Sequence, residues 1–97
     1  MNASTQTKSE VALRLVTELH SLLCAHGERN WIRGVSHVGA LLQDNDLASA
    51  ASAYKGMLGG NGSFSDFYIH ADQIDERRRL NEPLDRLRDQ IWIALGL

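Results

Sequence analysis

The sequence predicts an all-α fold, a compact bundle of about four helices with a glycine-rich loop between the third and the fourth. Three observations carry that expectation. Apolar residues return every three or four positions in separate stretches, the spacing of a helix with one buried side. Short runs of Asn, Asp and Gly, residues that stop and start helices, lie between the stretches. The apolar share of 43% and charged share of 23% over 97 residues are those of one folded domain rather than a disordered chain.

Residues 1–8 are polar and are expected to form a disordered lead-in to a single domain over 9–97. The first helix is expected at about 9–26, with Ser9 as N-cap and Glu10 in the first turn. Val11, Ala12, Leu15, Val16, Leu19, Leu22 and Leu23 fall on one side of it, and Arg14, Thr17, Glu18 and Ser21 on the other. Gly27 stands where a left-handed glycine ends a helix. The second helix is expected at 30–43, with Asn30 as its cap and Trp31, Val35, Val38 and Leu42 as its buried stripe. Gly39 lies beside that stripe, where a missing side chain lets a neighbouring helix approach. Asp46 is placed as the cap of a third helix at 46–58, with Leu47, Ala51, Tyr54 and Leu58 facing inward. Its other face, Ala48, Ser49, Ser52, Ala53 and Gly56, is small and weakly polar. The short connection makes the second and third helices an antiparallel hairpin.

After the glycine loop, Phe67-Tyr68-Ile69-His70 fits either a turn of helix or a short extended segment. Residues 71–80 have no clean apolar period and read as a charged linker. Asn81 is a good N-cap, and Glu82 and Pro83 suit a first turn, so the last helix is expected at 82–96. Leu84, Leu87, Ile91, Ala94 and Leu95 form its stripe. Ile93 points almost opposite that stripe and Trp92 lies at its edge, which implies that something further covers them, either the 71–80 segment or another chain.

The net charge of −2 supplies no global field towards nucleic acid or an anionic membrane, so any partner is recognised by local surface. Cys24 is the only cysteine, which excludes an internal disulfide. A secreted domain this small generally needs such staples, and the expected compartment is the reducing cytoplasm. The first residues lack the apolar core of a signal peptide, and no run approaches the roughly 20 apolar residues that span a bilayer.

The stretch Gly59-Gly60-Asn61-Gly62-Ser63-Phe64-Ser65-Asp66 is the one unusual local feature. A phosphate-binding P-loop requires Gly-x-x-x-x-Gly-Lys-[Ser/Thr], and no lysine follows here, while Asp66 would repel a phosphate. A dinucleotide fingerprint follows a strand, and this stretch follows a helix. An architectural reading fits better. Gly59 ends the third helix in a left-handed cap, Asn61-Gly62 makes a tight turn, and Ser63 caps a new start with Asp66 reaching back to its amide. Phe64 and Phe67 would then insert into the core. The alternative is a small-ligand or nucleotide sensor that uses Gly60, Asn61, Gly62, Ser63 and Asp66.

This stretch, following an amphipathic helix and leading to a Leu-x-x-Leu helix, resembles a family of small uncharacterised bacterial proteins. That family is similar in carrying Gly-Gly-x-Gly-Ser-Phe/Leu-x-Asp after a helical hairpin that begins at a tryptophan. The resemblance spans roughly 30–95 and implies a bacterial or phage origin and an all-helical fold. It brings no catalytic residue with it.

His20 and Cys24 have the i, i+4 spacing of two metal ligands, but zinc needs a third and usually a fourth, and no second pair supplies them. No metal or cofactor is expected, and Cys24 reads as a small core or boundary residue. Ser63, Asp66 and His70 could be assembled into a nucleophilic set only if they converge, and their spacing does not require it. Arg77-Arg78-Arg79 is the only basic cluster. Asp72, Asp75, Glu76, Glu82 and Asp85 surround it, a pattern suited to salt bridges or the charged rim of a protein interface rather than to nucleic acid. The expected function is therefore non-enzymatic: a protein-binding domain, in concrete form an immunity or anti-defence protein that occludes a toxin or effector. Trp92, Ile93, Arg77 and Arg78 are its expected contacts, with another protein or a second copy as partner and no membrane involvement.

Overall fold

Each helix begins and ends where side chains or backbone can satisfy the groups that a helix leaves open, and these ends set the order of the chain. A computed structural model describes residues 7–59 and 63–97. Among them are α1 (Lys8–Ala25), α2 (Ile32–Gln43), α3 (Leu47–Met57), a single 3₁₀ turn (Phe64–Asp66) and α4 (Ile74–Ala94). The expected all-α class is what is seen. Of the expected lead-in 1–8, residues 1–6 lie outside the described residues, as does the expected turn at Asn61-Gly62, while Thr7 and Lys8 belong to the start of α1.

α1 starts earlier than the sequence predicts. Thr7, not Ser9, is the N-cap, its hydroxyl accepting from the Glu10 amide at 3.1 Å. Thr7 has Glu10 three residues on, and the two side chains meet at 3.3 Å, whereas Ser9 has only Ala12 at that offset. Ser9 is instead buried within the first turn. Three helices close by the same six-to-one device: Glu28 N–H to Leu23 C=O at 3.0 Å, Asp46 N–H to Leu41 C=O at 2.9 Å, and Leu97 N–H to Trp92 C=O at 3.1 Å. The residue before each donor is left-handed: Gly27 at φ 67°, Asn45 at 59° and Gly96 at 77°. Gly27 was expected there. Gly59 is not left-handed, and α3 instead ends on Leu58 in the right-handed region.

Asn30 does not cap α2. Trp31 occupies the cap position without a side-chain bond, while the Asn30 amide donates to Glu28 Oε1 at 2.8 Å. Asp46 does cap α3, accepting from the Ser49 amide at 3.1 Å. Hydrogen bonds from the Ser49 side chain and then its amide hold the Asp46 carboxyl below its usual pKa.

The core is one cluster running through all four helices. α1 is central, packed against α2 on one side and α4 on the other, with α3 against α2. The start of α2 meets the end of α3, where a Cβ on Gly34 would lie 3.0 Å from the Met57 thioether. This is the close approach that was expected at Gly39, where a Cβ would meet Val16 at an ordinary 3.6 Å. α3 is also rotated from its expected register, with Ala50 and Tyr54 fully buried and Leu47, Ala51 and Leu58 half-buried. α3 and α4 touch little. Phe64, from the segment between them, is fully buried and lies 5.3 Å from the Trp31 ring and 6.1 Å from Phe67.

The largest departure from expectation is α4. It spans 21 residues and absorbs the segment read as a linker, with Pro83 in its interior and Asn81 well inside rather than at the cap. Proline removes one donor, the amide that would reach the Arg79 carbonyl, and normally disfavours a helix interior. Tertiary contacts of α4's first half offset that cost, and those contacts build the surface described next.

Candidate functional site

The chain from Phe67 to Ala71 is extended and alternates. Phe67 is half-buried, Ile69 and Ala71 are buried, and Tyr68 and His70 are exposed. A period of two is what an extended segment shows when one side rests on a core. Among the described residues no strand lies beside it, so its polar groups need other partners.

Three side chains of α4 provide them. Arg77 Nε donates to the Ala71 carbonyl at 3.0 Å. Asn81 accepts from the Ile69 amide at 2.6 Å and donates to the Ile69 carbonyl at 2.7 Å, much as a neighbouring strand would. Its remaining N–H goes to the Arg77 carbonyl at 2.8 Å, so both amide hydrogens and the oxygen are engaged. One guanidinium nitrogen of Arg88 donates to the carbonyls of Phe64 at 2.6 Å and Phe67 at 2.8 Å. The other meets Asp85 at 2.6 Å. The Arg88 guanidinium also lies 5.5 Å from the centre of the Phe64 ring. Residues 77, 81 and 88 share one side of a helix, and they meet positions 71, 69 and 67 in turn. The segment therefore runs antiparallel to α4, fastened along its length.

Behind this fastening, the Tyr54 hydroxyl donates to the Arg88 carbonyl at 2.9 Å, tying α3 to α4. Burial pushes the Tyr54 phenol well above its ordinary pKa; the positive charge of Arg88 opposes the shift without cancelling it. Ser63 is buried, and its hydroxyl lies 3.2 Å from the Leu58 carbonyl and 2.7 Å from the Ser65 hydroxyl, which itself reaches Leu58 at 3.1 Å. The hydroxyl expected to cap a new helix thus closes the end of the preceding one, and the helical start it was to cap is only a single 3₁₀ turn with no side-chain cap bond.

The fastening fixes Tyr68 outward, 56% exposed. It forms one wall of an open groove whose other lining is Arg77, Arg78, Asn81, Glu82 and Asp85 of α4. Those positions, with Ile74 before them, recur at three- and four-residue spacing, so they form one stripe along the helix. Ile74 is 63% exposed at its head. Arginines occupy the first half of the stripe and carboxylates the second.

The residues predicted to bind a partner do not form one patch. Arg77 and Arg78 lie on this stripe. Trp92 is half-buried beside Leu58, Ser65, Arg88 and Asp89. Ile93 is 74% exposed on another side, beside Thr7, Lys8 and Val11 at the start of α1. Of the expected ligand loop, Gly60, Asn61 and Gly62 lie outside the described residues; Ser63 is turned inward and Asp66 is exposed. His70 is exposed and faces Asp72 at 3.4 Å. Cys24, expected in or near the core, is exposed, with its sulfur 3.7 Å from His20 Nδ1. No group of three or more His, Cys, Asp or Glu that could hold a metal is found among the described residues. No helix among them is long and apolar enough to cross a membrane. Tyr68, Ile74 and Arg88 were not anticipated as functional, and Glu82 and Asp85 only as part of the charged surround of the arginine cluster. The alternation from Phe67 to Ala71 and the spacing of Arg77, Asn81 and Arg88 were the available signals. The chain has no significant match among protein-family models, curated proteins or solved structures.

Proposed function

We propose that this chain is a protein-binding domain that engages its partner through the outer stripe of α4 and Tyr68. The observation that carries the reading is that a large aromatic group is held away from the core by four hydrogen bonds between its own segment's backbone and the side chains of Arg77, Asn81 and Arg88. Left to itself, an aromatic side chain in an extended segment would turn towards apolar cover. Tyrosine and arginine are also the residue types that concentrate binding energy at interfaces, and a backbone segment already held in place loses little entropy on docking.

The concrete form of this proposal is an immunity or anti-defence protein of bacterial or phage origin, acting in the cytoplasm by covering a toxin or effector. The family resemblance of the Gly59 to Asp66 stretch is part of that proposal. Affinity capture from the native host tests it, using the wild type, a Tyr68→Ala variant and an Ile93→Ala variant. The expected result is one dominant protein held by the wild type and Ile93→Ala and lost with Tyr68→Ala, and inhibited by the wild type if it is a toxin. A captured protein retained by Tyr68→Ala, or no dominant protein at all, contradicts it.

A further inference from the structure

The stripe has a property that a general binding surface does not need: its charges are complementary to themselves under a twofold rotation. Arg78 and Glu82 are both exposed and stand one turn apart, about 6 Å along the axis. Arg77 and Asp85 flank them on the same side. If a second α4 is laid antiparallel across the first, with the axis between Arg78 and Glu82, each Arg78 faces Glu82 of the second copy. Arg77 then comes within two residues of Asp85 of the second copy, a carboxylate that also holds Arg88 of its own chain at 2.6 Å. Isologous interfaces require this arrangement, because residue i must suit residue j when j also meets i. Within one chain the described residues show no ion pair between Arg78 and Glu82, although i, i+4 pairs are geometrically allowed; the ion pairs seen are Arg14–Glu18, His70–Asp72 and Arg88–Asp85. Tyr68 stands beside the middle of the stripe, where both copies would shield it, and Ile74 lies towards each end.

We infer that the α4 stripe pairs antiparallel with the same stripe of a second copy of this chain. The inference rests on the reading of this stripe as a protein-binding surface and names its occupant. The central charge pairs set the register, and Tyr68 beside them supplies apolar contact. A heterologous partner that uses the same stripe must displace the second copy.

Light scattering coupled to size-exclusion chromatography, from about 10 μM to about 1 mM, tests this directly. The wild type is expected to rise from 10.8 kDa towards twice that mass. Arg78→Glu alone sets like charges opposite each other, as does Glu82→Arg alone, and each should weaken association at least about tenfold. An equimolar mixture of the two restores opposite charges at both contacts and should recover the doubled mass. Both side chains are exposed, and unchanged circular dichroism and urea midpoints for the two variants separate loss of pairing from loss of fold. A wild type that stays at 10.8 kDa throughout overturns the inference, as do variants that dimerise like the wild type or a mixture that fails to recover. A monomeric wild type whose captured partner is still lost with Tyr68→Ala overturns self-pairing alone and leaves the binding surface standing.

Discussion

Arg88 holds Phe64 twice, by a 2.6 Å hydrogen bond to its carbonyl and by the guanidinium 5.5 Å from its ring centre. A second carbonyl, that of Phe67, takes the same nitrogen at 2.8 Å, so one side chain fastens both ends of the turn that fills the space between α3 and α4. Replacing Arg88 with alanine takes the side-chain donor from both carbonyls, and the Phe64 carbonyl keeps only the Phe67 N–H at 3.3 Å. Urea unfolding should show a loss of about 2–3 kcal/mol, and Trp31, tilted against Phe64, should report the change in its fluorescence. Arg88→Lys keeps the charge but not the fork, and should recover only part of the loss.

Asn81 gives a more local prediction. Its amide group takes both polar groups of Ile69, so Asn81→Ala should speed hydrogen exchange at the Ile69 amide before it affects amides in α1. Asn81→Asp keeps the acceptor but sets a carboxylate against the Ile69 and Arg77 carbonyls, and should cost more than alanine. Equal protection at Ile69 in wild type and Asn81→Ala would show that the clamp is not what orders the segment.

These two residues also show what the sequence does and does not reveal. The helical periods of α1 and α2, the Asp46 cap and the Gly27 stop were all legible, because each depends on residues within a few positions. Phe64 was legible as a core residue for the same reason. The length of α4 was not. Asn81, Glu82 and Pro83 spell a helix start by every local rule, and the structure overrides them because Asn81 is engaged 12 residues back at Ile69. No local pattern reports a partner at that distance. The candidate surface was legible only in part: Arg77 and Arg78 were singled out for their charge, while Tyr68 needs the fastened segment to be recognised.

Tyr54 predicts a dependence on alkaline pH. Burial, opposed by Arg88 and assisted by Asp89, raises the pKa of its phenol in the fold. Above about pH 10 the unfolded chain releases that proton while the fold retains it, so the unfolded state binds fewer protons and stability falls as pH rises. The contribution is fully present below about pH 10 and is lost as pH climbs through the folded value. Tyr54→Phe should lose about 1 kcal/mol at neutral pH, from the bond to the Arg88 carbonyl, and should show a shallower decline between about pH 10 and 11.5. Parallel declines in the two proteins would contradict this.

Gly39 offers a gain. It lies inside α2, and a Cβ there would meet Val16 at 3.6 Å, an ordinary contact. Gly39→Ala should therefore raise stability by roughly 0.5–1 kcal/mol, seen as a higher melting temperature. Gly34→Ala should gain less or lose, because Met57 would have to move from 3.0 Å.

The central claim is that the outer side of α4, with Tyr68, is where this chain touches another protein. A benzoylphenylalanine photocrosslinker placed at position 68 in the native host, with control probes at Ser52 on α3 and at Ile93, tests it most directly. A discrete adduct from position 68, whether with a second copy or a different protein, and none from Ser52 is the predicted result. No adduct at 68 together with a discrete adduct at Ile93 or Ser52 would contradict the account and move the binding surface elsewhere.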